Sequence, residues 1–117
     1  MNLACIAQHL ELVALTPELR EGEGPDITGG YASDLLSDVL AHAPHGGVLV
    51  TAQVHMNVIA VAAHTQQAAV IFPSGREPED AVRERALEEG VPLYMTGASA
   101  FDVAGRLYAL GLRGPRP

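Results

Sequence analysis

The chain is expected to fold as a small three-layer α/β domain around a largely parallel central sheet of about five strands. Three observations predict this. From residue 48 onward, short continuous apolar runs alternate with longer stretches of helical character. The runs Val48-Leu49-Val50-Thr51 and Ala68-Ala69-Val70-Ile71-Phe72 are rich in β-branched residues and have no polar side, the pattern of buried strands. The length of 117 residues is that of one domain, long enough to bury a core without disulfides or metals.

Taken in order, residues 3–9 read as a short helix and Glu11 to Leu15 as a short strand, on the continuous apolar run Leu12-Val13-Ala14-Leu15. Thr16-Pro17-Glu18 is a turn, with proline preset at its second place. Residues 21–26 combine acids, glycines and a proline in a solvated loop, and Ile27-Thr28-Gly29-Gly30 is a short extended piece that turns tightly into a helix. That helix is read from Ala32, Leu35, Leu36, Val39, Leu40 and Ala43, which form one apolar stripe. Ser33 or Gly30 caps its start, and Pro44 and Gly46-Gly47 end it. Val58 to Ala63 has no period of its own. It is read as a helix capped by Asn57, because a parallel crossover between two buried strands needs about a dozen residues. Pro78 occupies a first helical position, and Ala81, Val82, Ala86 and Leu87 give that helix an inner face up to Gly90. Pro92-Leu93-Tyr94-Met95 is the last strand. Ser99 and Asp102 form a capping box before a closing helix that Gly111 stops. The domain is expected to span residues 1–112, with residues 113–117 as a flexible tail.

Composition removes several function classes. The net charge is −7, all seven basic residues are arginine, and no basic stripe exists, so neither nucleic acid nor an anionic membrane is an expected partner. Without lysine there is no Schiff base and no phosphate-loop lysine. Cys5 is the only cysteine, which excludes an internal disulfide and a cysteine zinc cluster and agrees with a cytoplasmic location. The amino-terminal residues do not read as a signal peptide, and no apolar run is long enough to span a membrane.

Several segments in this order resemble the DRTGG domain: Asp26-Ile27-Thr28-Gly29-Gly30 running on through Tyr31-Ala32-Ser33-Asp34-Leu35-Leu36-Ser37-Asp38-Val39, then Gly75-Arg76-Glu77-Pro78, then Phe101-Asp102-Val103-Ala104-Gly105-Arg106-Leu107-Tyr108. The resemblance covers roughly residues 1–112, with Ile27 where that family often has arginine, so a site that used this arginine would be missing here. Members look like small α/β modules, alone or beside nucleotide-sensing CBS domains in pyrophosphatases, and in phosphotransacetylase-like and cobyrinic-acid-synthase-like chains. A similar fold forms the amino-terminal domain of HPr kinase/phosphorylase. The resemblance implies a non-catalytic regulatory or ligand-binding accessory that forms a homodimer, and it supplies no catalytic residues.

In open parallel sheets, ligands sit beyond the carboxyl ends of the strands. Three loops are expected there, over residues 51–57, 73–76 and 96–99, each running into a helix whose free N–H groups attract anions. They supply Thr51, His55, Ser74, Gly75, Arg76, Thr96, Gly97 and Ser99 as ligand-binding candidates. Arg76 is the charge partner, unless it pairs with Glu77, Glu79 or Asp80. Thr28, Gly29 and Gly30 are a second anion candidate, with a tight strand-to-helix turn as the structural alternative. Asp34 and Asp38, one turn apart, suggest acid–base or Mg²⁺ chemistry less readily than an exposed acidic face. The five histidines show no metal-ligand spacing, so no metal or other cofactor is expected. The apolar segment 58–63 calls for cover on all sides, which suggests a homodimer contact near residues 1–10 or 56–64. The expected function is sensing of a small phosphorylated or nucleotide ligand. The alternatives are an accessory subunit of a larger enzyme without a small ligand, or a regulator related to HPr serine kinase.

Overall fold

A computed structural model describes residues 1–19 and 24–115. The order of elements is α1 (Leu3–His9), β1 (Val13–Ala14), β2 (Gly30–Ala32), α2 (Leu36–His42), β3 (Val48–Val50), α3 (Met56–His64), β4 (Ala69–Phe72), α4 (Asp80–Glu89), β5 (Leu93–Met95) and α5 (Ala100–Ala109). The strands form one five-stranded sheet in the order β1-β5-β4-β3-β2. β2, β3, β4 and β5 run parallel, and β1 is an antiparallel edge strand on β5.

Alternation along the strands divides the core in two. Val48, Val50, Ala69, Ile71 and Tyr94 face Leu3, Ile6 and Ala7 of α1 and Val103 and Leu107 of α5. Leu49, Val70, Phe72 and Leu93 face Val39 of α2, Val58, Ile59 and Ala62 of α3, and Val82 and Ala86 of α4. The result is a three-layer α/β/α domain, which is why the central strands read as continuous apolar runs. No helix among the described residues is long and apolar enough to cross a membrane.

Local signals fix several boundaries. Asn2 caps α1 by accepting the Cys5 N–H at 3.0 Å, and Ser99 caps α5 by accepting that of Asp102 at 3.1 Å. Gly90 ends α4 in the left-handed conformation, with φ 71°.

The structure differs from the sequence reading at several points. First, the Gly29-Gly30 pair does not turn into a helix. Gly30 opens β2, and Ser33 extends the ladder by donating to the Val50 carbonyl at 3.1 Å. Pairing with β3 wins over local periodicity, so α2 begins only at Leu36, with no side-chain cap from Ser33 or Gly30. Leu35 and Leu40 of the predicted stripe are left 64% and 50% exposed. Second, α3 starts at Met56 with His55, not Asn57, at its cap position. Third, α3 needs no partner subunit to cover it: it is the middle helix of its layer, between α2 and α4. The argument for a contact at residues 56–64 therefore lapses. Leu3, Ile6 and Ala7 near the amino terminus are likewise buried against the sheet. Fourth, the start of the expected tail is held in place. The Arg113 carbonyl accepts the Gly30 N–H at 3.0 Å, and its guanidinium stacks 3.6 Å from the Tyr108 ring centre. Residues 116 and 117 of that tail, and residues 20–23 next to or within the predicted acidic loop, lie outside the described residues.

Candidate functional site at the carboxyl edge

Eight of the eleven candidate residues lie together at the carboxyl ends of β3, β4 and β5. The loop over 73–76 is locked to the loop over 96–98. Ser74 N–H donates to the Ala98 carbonyl and Gly75 N–H to the Thr96 carbonyl, both at 2.8 Å. Ser74 and Gly75 take consecutive left-handed conformations, with φ 59° and 69°. Glycine accepts this freely, whereas serine does so at a cost that the two bonds offset. Arg76 is exposed and, among the described residues, makes no ion pair with Glu77, Glu79 or Asp80.

Several groups expected to face a ligand are already engaged, as donors or as acceptors. The Arg76 N–H bonds back to the Pro73 carbonyl at 3.1 Å. Thr96 Oγ1 accepts the Ala98 N–H at 3.2 Å, and the Ser99 hydroxyl is the α5 cap. Thr51 is buried and donates its hydroxyl to Asp34 Oδ1 at 3.1 Å, and the Ala52 N–H donates to the same oxygen at 2.7 Å. Asp34, between β2 and α2, therefore acts as an anion that tethers the loop after β3, a role its apparent place in a helix had hidden. Gln53 completes the bracket, with Nε2 donating to the Asp34 carbonyl at 3.2 Å.

The free donors converge elsewhere. Neither His55 before α3 nor Glu79 before α4 makes a side-chain capping bond. The Val58 and Val82 N–H groups donate to the His55 and Glu79 carbonyls, and among the described residues the N–H groups of Met56 and Asn57 and of Asp80 and Ala81 have no partner. Both first turns border one cavity of about 430 Å³ lined by Val54, His55, Met56, Glu77, Glu79, Ala81 and Val82. Two aligned dipoles favour an anionic group there, while the two glutamates oppose a bare anion and can accept hydroxyl or amino hydrogens. Of the sequence candidates, only His55 lines this cavity. Glu77 and Glu79 were missed: Pro78 between them reads as a first helical position, but α4 begins only at Asp80 with Glu79 at its cap, so both glutamates stand before the helix.

Thr28, Gly29 and Gly30 do not belong to this edge. They lead into the amino end of β2, on the opposite rim. Thr28 donates its hydroxyl to the His45 carbonyl at 2.6 Å and its N–H to the Gly46 carbonyl at 3.1 Å. A Cβ on Gly29 would stand 2.5 Å from the Arg113 carbonyl oxygen. Close backbone packing, not an anion, is what this structure asks of that glycine.

Asp38 is separated from Asp34 by its own network. Tyr31 donates its hydroxyl to Asp38 Oδ2 at 2.8 Å, and His42 Nδ1 lies 3.0 Å from Oδ1. The Tyr31 hydroxyl, then the Ser33 hydroxyl and His42, hold the Asp38 carboxyl below its ordinary value. The same bond to Asp38 raises the Tyr31 hydroxyl above its own. Among the described residues, no three His, Cys, Asp or Glu side chains converge as a metal site would require.

No protein-family model matches the chain, and no curated protein matches it. A solved structure does. The fold is similar to part of the regulatory region of a Clostridium perfringens pyrophosphatase. That structure contains CBS and DRTGG domains complexed with the activator diadenosine tetraphosphate. It matches with a TM-score of 0.68 at 17% identity, over 95% of this chain. The chain spans about half the length of that structure, 47%. The match is consistent with a DRTGG-like module and with the three-layer α/β architecture read from the sequence.

Proposed function

We propose that the chain is a non-catalytic regulatory module that senses a nucleotide at the carboxyl edge of its sheet and works as a homodimer. The cavity shared by the uncapped first turns of α3 and α4 carries this reading. Its N–H groups suit a phosphate, Glu77 and Glu79 suit the hydroxyl or amino groups of a nucleoside, and Arg76 supplies a free cation on the adjoining loop. The similar pyrophosphatase region is itself regulatory and was solved with a dinucleotide activator, which supports the same class of ligand. A catalytic role finds no support. Phosphoryl transfer relies on positioned cations, and this chain has no lysine and a single arginine in the candidate loops. As a regulatory module it would pass ligand occupancy to a larger partner enzyme.

The test is thermal stability against mono-, di- and dinucleoside phosphates and inorganic phosphate. A ligand that binds only the folded chain raises the melting temperature, by about 2.7 kcal/mol of stability at a hundredfold excess over Kd. Arg76→Ala, at an exposed position, should leave the unliganded melt unchanged and weaken the ligand effect. No shift with any nucleotide would refute the reading.

A further inference from the structure

We infer that the homodimer closes through the outer face of α5, about a two-fold axis between Ala104 and Gly105. The inference rests on the dimer reading above and names its contact face. Phe101 is 87% exposed and Tyr108 60%, so two of the chain's five aromatic side chains stand in water on one helix. Phe101, Ala104, Gly105 and Tyr108 are spaced i, i+3, i+4 and i+7 and form one stripe. This is not the stripe that holds α5 to the sheet, which is Val103 and Leu107. Nothing among the described residues of the monomer asks for glycine at 105. A Cβ there would meet no atom of the described residues within 4 Å, and glycine weakens a helix interior relative to alanine. Close approach of a second backbone supplies the missing reason.

The stripe points to a second copy because it is complementary to itself. Positions 101 and 108 lie equally far from the midpoint of 104 and 105. An antiparallel copy turned about that midpoint sets Phe101 of each chain against Tyr108 of the other, with the small residues at the crossing. An isologous contact requires this mutual pairing. Asp102 and Arg106 flank the stripe on one side, and the same rotation brings the acid of one copy level with the base of the other. The two rings offer about 250 Å² per copy, roughly a third of the ~800 Å² that each partner buries in a standard interface. The contact also has room to extend. Ala104 and Tyr108 border a groove of about 160 Å³ that reaches Tyr31 and Ala32 on the edge strand β2. Arg113 covers one face of the Tyr108 ring and leaves the rest exposed.

Sedimentation of the full chain tests this, in a Cys5→Ser background because Cys5 is exposed. The expected result is a dimer that Phe101→Ser and Tyr108→Ser each weaken by at least about tenfold, as for a central aromatic contact. Ala104→Cys, beside the axis, should give a disulfide-linked dimer on mild oxidation, whereas Glu88→Cys on α4 should not. A dimer that is indifferent to both serine substitutions and is not linked through position 104 overturns the α5 face while leaving the dimer reading intact. A chain that sediments as a monomer overturns both.

Discussion

Replacing Gly29 and Gly30 one at a time separates a packing role from a ligand role for this pair. In Gly29→Ala the new Cβ would lie 2.5 Å from the Arg113 carbonyl oxygen, 0.9 Å inside the 3.4 Å at which ordinary contact begins. The neighbour is backbone, so Arg113 must move as a unit. Its carbonyl then loses the Gly30 N–H bond, worth about 1 kcal/mol, and its guanidinium loosens from Tyr108, worth about 0.5–1 kcal/mol at an exposed site. Residual overpacking adds about 1 kcal/mol, and the reduced freedom of the unfolded chain returns about 0.4–1 kcal/mol. The net cost is about 2 kcal/mol, or a fall of roughly 8 °C in melting temperature for a domain of this size. In Gly30→Ala the nearest atoms, on Val48, lie at 3.8 Å, and stability should hold within about 0.5 kcal/mol. Thermal or urea melts of the two variants without ligand are the assay. Equal melts, or a costlier Gly30→Ala, would refute the packing argument.

Two further outcomes follow from the same contacts. Asp34→Ala removes the acceptor of the Thr51 hydroxyl and the Ala52 N–H and should cost about 1–2 kcal/mol in chemical denaturation, with Asp34→Asn recovering part of it. Tyr31→Phe should flatten the acid limb of the stability profile. The lowered Asp38 carboxyl contributes stability that is present above its ordinary 3.8 and is lost as pH falls through its folded value, so the variant and parent should converge at the lowest pH. The raised Tyr31 hydroxyl acts in the opposite sense, its contribution being lost only as pH rises beyond 10.0 through its folded value.

The layers of the fold were legible because strands buried on both faces must be apolar throughout, as Val48–Val50 and Ala69–Phe72 are, and because caps such as Ser99 act within one turn of chain. The start of α2 was not legible. Ala32 fits a helical period as well as a strand, and only the ladder with Val50 decides between them. The same ladder sends Thr28 and Gly29 to the far rim, since a glycine pair does not announce which end of a strand it occupies. At the carboxyl edge, sequence identified the loops but not which donors remain free. Asp34 reaches Ala52 across 18 residues, and the Thr96 carbonyl takes the Gly75 N–H from a different loop. Those pairings are long-range, and no local pattern encodes them. The apolar segment 58–63 within α3 suggested a missing subunit because its neighbours α2 and α4 are distant in sequence from the residues they cover.

The most direct test is the amide NMR spectrum of the ¹⁵N-labelled chain during titration with a dinucleoside polyphosphate. The account predicts that the largest shifts fall on residues 54–57 and 76–82, around the first turns of α3 and α4, with Thr28 and Gly29 unmoved. Shifts centred on the opposite rim, or a spectrum unchanged at saturating ligand, would contradict it.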